Sequence, residues 1–151
     1  MKLLRFLLFS FIFLSFENSN NGCQIECVSF GSDFTLKIWN PTKNSKYKFE
    51  DAQKDALDAI LFSGISGANG CQPQPPILHN LEEIERFNKI KKSFFSKNGK
   101  WSLFIKNSTP NINNIVVVKS QLKVYTLTIS KDELRKYLIE EKILKPLNNG
   151  F

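Results

Sequence analysis

His79 is the only histidine in this 151-residue chain, and it stands in the stretch PPILHN, one residue before a position suited to cap a helix. An imidazole can move a proton near neutral pH. General acid–base catalysis also needs a reacting group within reach and a carboxylate to orient the ring. Nothing adjacent to His79 supplies that set, so it reads as a loop histidine. The acids fall at helix starts or as i,i+4 partners of basic residues, Glu82 with Arg86 and Glu85 with Lys89 among them. A glycoside hydrolase holds its two carboxyls about 5 to 9 Å apart across a cleft, and neighbouring exposed helix positions do not face each other in that way. These acids read as solvated faces, and no catalytic residue is assigned.

The chain has three cysteines: Cys23, Cys27 and Cys71. Without a C-x-x-C pair, and with the one histidine eight residues past Cys71, they do not have the spacing of a zinc site. No G-x-G-x-x-G or P-loop is present, so no metal and no cofactor is implied. Lys89, Lys91, Lys92, Lys97 and Lys100 surround Phe94, Phe95 and Trp101, a mixture that can bind single-stranded nucleic acid by charge and stacking. Yet these aromatics continue apolar periodicities, which makes them core residues under a lysine fringe. Lys91, Lys92, Lys100 and His79 remain as a candidate anion-binding patch. The prolines of QPQPP suit an aromatic groove in a partner, but a stiff loop explains them without one.

The elements that must position these residues follow an exceptional start. MKLLRFLLFSFIFLSF places Lys2 and Arg5 before an apolar run, the pattern of a secretory signal. A membrane span would take about 20 apolar residues, more than this run supplies. Residues 1–19 are therefore read as a signal peptide ending somewhere between 16 and 22, and 24–151 as a single domain. Cys23 follows Gly22, as the acylated cysteine of a lipoprotein would, but Asn20-Asn21 stand where a lipobox has apolar and small residues. In the oxidising compartment that export implies, one disulfide and one odd thiol are expected. Cys27 with Cys71 is the pair expected, since Cys27 falls in an apolar strand and Cys23 in the frayed start. The net charge of +7 becomes +6 without Lys2, Arg5 and Glu17. Such a surface favours anionic partners, and export takes nucleic acid off that list.

After the signal, in QIECVSFGSDFTLKIWN, two apolar runs flank Gly31-Ser32-Asp33 as a hairpin, with Phe34, Leu36 and Ile38 on one face. Pro41 opens a polar loop. In AQKDALDAILFSGI, Ala52, Ala56, Ala59 and Ile60 form a helical stripe that can lie close to a sheet, and Gly64 ends it. A breaker-rich loop covers 66–76. Asn80 and Glu83 have capping-box spacing for a second helix lined by Leu81, Ile84, Phe87, Ile90 and Phe94. KWSLFIK is expected as a third strand, and 115–130 as one long strand or two with a break near Lys119-Ser120. Ser130 and Glu133 suggest another capping box and a final helix. The order β-β-α-α-β-β-α predicts an α+β domain with a mostly antiparallel sheet of about four strands and three helices.

FGSDFTLKIWN, AQKDALDAILFSGI, PPIL, FFSKNGKWSLFI and KVYTLTISKDELRKYLIEEKILKPLNNGF together resemble a group of uncharacterised exported proteins of Gram-negative bacteria over nearly the whole mature chain. The first third is also similar to small domains of flagellar and envelope-assembly lipoproteins. The group carries no activity over to this chain; because every periodic segment has a packing role and no catalytic constellation is left, the expectation is a periplasmic or extracellular, envelope-associated module that binds another envelope protein or component. The alternative expectation is a binder of, or enzyme acting on, a small anionic envelope ligand. Membrane attachment would require a lipidated Cys23 or a retained signal.

Overall fold

The computed structural model describes residues 22–67, 70–107, 115–118 and 122–146, with 115–118 described by their backbone alone. The segment 1–19 read as a signal peptide and the C-terminal residues 147–151 lie outside these residues. Among them no helix is long and apolar enough to cross a membrane.

The hairpin forms where the alternation places it, with β1 at Gln24–Phe30 and β2 at Asp33–Trp39. The next strands are β3, Ile115–Val118, and β4, Leu122–Ser130. Every pairing is antiparallel, in the order β1-β2-β4-β3. Register explains the core. Phe34 lies opposite Ile129, Leu36 opposite Leu127 and Ile38 opposite Tyr125, and all six are buried. Cross-strand neighbours on one face therefore form a continuous apolar floor. The opposite face carries Thr35, Lys37, Thr126 and Thr128, half-buried or exposed.

Helix α1, Phe49–Asp58, lies on that floor and contacts β2 and β4. Ala52, Ala56 and Ala59 are buried, and their lack of bulk lets the helix backbone come near the strands. The helix then widens into a π turn over Ala59–Ser63. Gly64 closes it at φ 75°, with its N–H donating to Ala59 O at 2.8 Å. A helix end leaves carbonyls without intrahelical partners. Here the returning chain supplies them: Ile77 N–H donates to Ile60 O and Leu78 N–H to Leu61 O, both at 3.0 Å. A Cβ on Gly64 would stand 2.4 Å from Gln74 O, so that return is possible only beside glycine.

The second helix, α2, spans Leu81–Phe94. Asn80 Oδ1 accepts Glu83 N–H at 2.9 Å, whereas the Glu83 carboxylate accepts His79 N–H at 3.0 Å instead of that of Asn80. Half the expected capping box forms, and its other half reaches one residue further back. Helix α3, Lys131–Glu140, follows β4 without a break, and Ser130 makes no side-chain cap. The first amide of α3 finds its partner across the hairpin turn, Lys131 N–H to Ser32 O at 3.2 Å.

The strand expected over 100–106 is replaced by a 3-10 segment, Lys100–Phe104. A strand would bury Trp101, Leu103 and Ile105 together. Trp101 and Phe104 are buried instead, three apart, and Leu103 is 63% exposed. Trp101 Nε1 donates to Ser96 O at 2.8 Å, which ties the turn to the end of α2. The segment reaches the sheet only afterwards, through a bridge between Ile105 and Ile129. The α+β class, antiparallel sheet and three helices expected from sequence are otherwise present.

The Cys27–Cys71 disulfide is formed, with 6.2 Å between Cα atoms. It joins β1 to the loop that follows α1. Closing a segment of 44 residues restricts the unfolded chain and contributes about 3 to 4 kcal/mol.

Candidate functional site

Cys23 is not part of a frayed start. It is 8% exposed and belongs to the core. Its Sγ lies 3.6 Å from Tyr47 Oη, whose hydroxyl donates to Asp55 Oδ2 at 3.0 Å. A hydroxyl has one proton, so with that proton committed to Asp55 the thiol is the donor in its contact with Tyr47. The result is a directional chain from thiol through phenol to carboxylate.

Three elements hold it. Cys23 enters from the start of β1. Tyr47 follows the 3-10 turn Asn44–Lys46 and is fixed by Tyr125, whose hydroxyl donates to Tyr47 O at 3.0 Å. Asn40 shapes the approach, its Oδ1 accepting Thr42 N–H at 3.0 Å and Lys43 N–H at 3.1 Å. Asp55 comes from α1, one residue before the buried Ala56.

The electrostatics oppose ionisation at every point. Burial pushes the Cys23 thiol up to about 11, only partly offset by its bond to Tyr47. Tyr47 is raised by burial and then by Cys23. Asp55 is raised by burial, against the lowering effect of the Tyr47 hydroxyl. At pH 7 a thiol titrating near 11 is thiolate in about one molecule in ten thousand. A nucleophilic cysteine requires the reverse, an electropositive setting that lowers its pKa. The thiol and the phenol are therefore held neutral, and the Asp55 carboxyl holds its proton more tightly than a free aspartate does.

Beside it lies a cleft of about 390 Å³ lined by Gly22, Cys23, Gln24, Ile25, Gly64, Ile65 and Ser66. A smaller groove of about 260 Å³ runs between the 3-10 segment and α3, past Leu103, Phe104, Glu133, Lys136, Tyr137 and Glu140.

Of the candidate anion patch, His79 stands apart from the lysines, which lie about the other end of α2. His79 is exposed at the N-terminal end of α2, its Nδ1 3.1 Å from Pro76 O and its Nε2 3.9 Å from Glu83 Oε2. Lys91 and Lys92 occupy the last turn of the same helix, roughly 18 Å away at 1.5 Å per residue. Lys91 is also engaged, 3.0 Å from Asp58 Oδ1 and 4.3 Å from the centre of the Phe62 ring. Lys100 opens the 3-10 segment beyond the end of α2. Lys54, Lys97 and Lys48 lie around Glu50; the Lys54 bond at 2.8 Å is the main cause holding that carboxyl below its usual range.

Tyr47 and Asp55 gave little warning in the sequence. Tyr47 is one aromatic in the lysine-rich stretch TKNSKYKF, and Asp55 is one of four acids over 50–58. Only its place beside the alanine stripe distinguished it. Among the described residues no group of three or more His, Cys, Asp or Glu side chains is arranged to hold a metal ion.

No family model, curated protein or solved structure matches the chain. Its own geometry must carry the functional reading.

Proposed function

We propose that the chain is an exported, non-enzymatic binding or assembly module of the cell envelope, one of the group of exported proteins of Gram-negative bacteria that it resembles. The observation that carries this reading is the state of the Cys23–Tyr47–Asp55 chain. The Cys23 thiol, which lines the larger cleft, and the Tyr47 phenol it meets are held neutral, the Asp55 carboxyl is raised, and the three satisfy one another, which fits a scaffold and not acid–base or nucleophilic chemistry. The Cys27–Cys71 disulfide agrees with folding in an oxidising compartment. Cys23 is taken as a free buried thiol and not as a lipid anchor.

Affinity capture from envelope extracts of the native host tests the proposal. One partner should be enriched, and substitution of a defined strip of surface should release it. Retention of a full cellular phenotype by every exposed substitution would remove the reading. The alternative, recognition of a small anionic ligand, rests on Lys91, Lys92 and Lys100 about the C-terminal end of α2. Thermal-shift screening against glycans, lipid headgroups and phosphorylated metabolites tests it, since a ligand specific for the folded state raises the melting temperature.

A further inference from the structure

The larger cleft has an unusual construction. One wall is made of four consecutive residues, 22–25, and the other of three consecutive residues, 64–66. Side chains alternate between the two faces of a strand, so a wall of consecutive residues is an edge and not a face. β1 is an outer strand, paired with β2 alone among the described strands. Such a strand turns alternate residues' N–H and C=O groups outward.

The facing wall is oriented in the complementary way. Ile65 exchanges both of its backbone bonds with Gln74, each at 2.8 Å. In extended backbone the next residue directs its groups to the opposite side, so Ser66 N–H and C=O point away from Gln74. Neither has a partner among the described residues. No residue of either wall is charged, and the Cys27–Cys71 disulfide ties the loop containing the second wall to β1.

We propose that this cleft receives a short extended segment of a partner protein, which adds to the outer edge of β1 at Gln24 and Ile25 as a further strand and bonds to Ser66 on its other side. The inference rests on the reading of the chain as a binding module and specifies how that module recognises its partner. Backbone walls recognise backbone: main-chain bonds supply the affinity, and the small pockets between them select side chains. The uncharged walls call for an uncharged segment, and a residue that must donate to the edge cannot be proline. Because the slot is bounded on both sides, it admits a single chain. It does not admit the edge of a second folded copy, whose own β1 is flanked by its 64–66 segment.

The test begins by panning the disulfide-intact protein with a displayed library of random linear peptides about ten residues long, enough to span the β1 wall at about 3.3 Å per residue. The strongest binder is synthesised and titrated against the wild type, Ser66→Pro and Ser66→Ala. Enriched peptides should be uncharged. The bound peptide should slow amide exchange within 22–25 and at Ser66. Ser66→Pro, which lacks the outward N–H, should bind about tenfold more weakly, and Ser66→Ala, which keeps it, within about twofold of wild type. Exchange protection in the wild type decides the matter even where the proline variant fails to fold. Failure to enrich any peptide, protection at another surface, or unchanged binding by a folded Ser66→Pro variant would each overturn the proposal. So would self-association that Ser66→Pro abolishes, since the occupant would then be a second copy. If envelope capture recovers a partner that Ser66→Pro retains and a substitution elsewhere loses, strand addition is wrong while the binding-module reading stands. If capture recovers no partner at all, that broader reading fails.

Discussion

Asn107 Oδ1 accepts the backbone N–H of Thr128 at 2.7 Å, and the same side chain returns Nδ2 to Thr126 O at 2.7 Å. Its amide thus serves β4 as a neighbouring peptide would. Just before it, Lys106 N–H donates to Thr128 O at 2.9 Å and Ile105 bridges Ile129. β3 pairs with β4 only over Leu122 to Tyr125, so the rest of that edge is completed by this short segment and one side chain. Asn107→Ala leaves a strand N–H and C=O without partners and should cost about 1 to 3 kcal/mol. Urea titration should show a lower midpoint with an unchanged slope. An unchanged midpoint would show that the side-chain bridge contributes nothing.

Reduction of Cys27–Cys71, or its removal as the Cys27→Ser/Cys71→Ser double variant, should lower stability by about 3 to 4 kcal/mol through the closed segment of 44 residues. The melting temperature with and without reductant reports this for the wild type. The double variant should show no response to reductant.

The raised carboxyl of Asp55 has a definite sign in stability. Burial is its main cause, so the folded protein holds the Asp55 proton more tightly than the unfolded chain does. The contribution of Asp55 is then most favourable below the ordinary aspartate range and declines as pH rises through that range to the higher folded value. Asp55→Asn keeps an acceptor for the Tyr47 hydroxyl and carries no charge. It should be more stable than wild type at neutral pH and lose that advantage near about pH 3, where wild-type Asp55 is itself neutral. Denaturation at the two pH values checks this, and a variant advantage that grew on acidification would contradict it.

With its thiol pushed up to about 11 and 8% exposed, Cys23 should react slowly. Iodoacetamide near pH 8 should label it about 100-fold more slowly in the folded protein than in the unfolded, disulfide-intact chain, a difference that reflects the scarce thiolate and the closed surroundings. Comparable rates would place Cys23 at the surface and reopen its use as an attachment point.

Residues whose roles depend on period or local chemistry were legible in the sequence. The alternation of Phe34, Leu36 and Ile38, the stripe of Ala52, Ala56 and Ala59, and the caps at Gly64 and Asn80 each state a geometry within a few residues. Cys27 with Cys71 was legible because Cys27 carries a core-facing strand pattern. KWSLF misled because five residues fit period two and period three alike. The deciding facts were distant: Trp101 needs the Ser96 carbonyl, and a Cβ on Gly99 would meet Phe94 O at 1.9 Å. Ser130-Glu133 has the spacing of a cap, but Ser130 is the last residue of β4, paired with Asp33, and its side chain makes no cap bond. His79 parts from Lys91 and Lys92 because nearness in sequence along α2 becomes separation along its axis. Cys23 meets Tyr47 across 24 positions, and no local pattern announces such a meeting.

Intact-mass measurement of the protein purified from its native host, with a thiol label added before and after unfolding, tests most directly the claim that this is an exported module with one structural disulfide and one buried thiol. The expected mass is that of a chain beginning between residues 17 and 23, less the two hydrogens of one disulfide, without lipid, and taking one label only after unfolding. A full-length chain with three labelled thiols, or an acyl mass on Cys23, would contradict it.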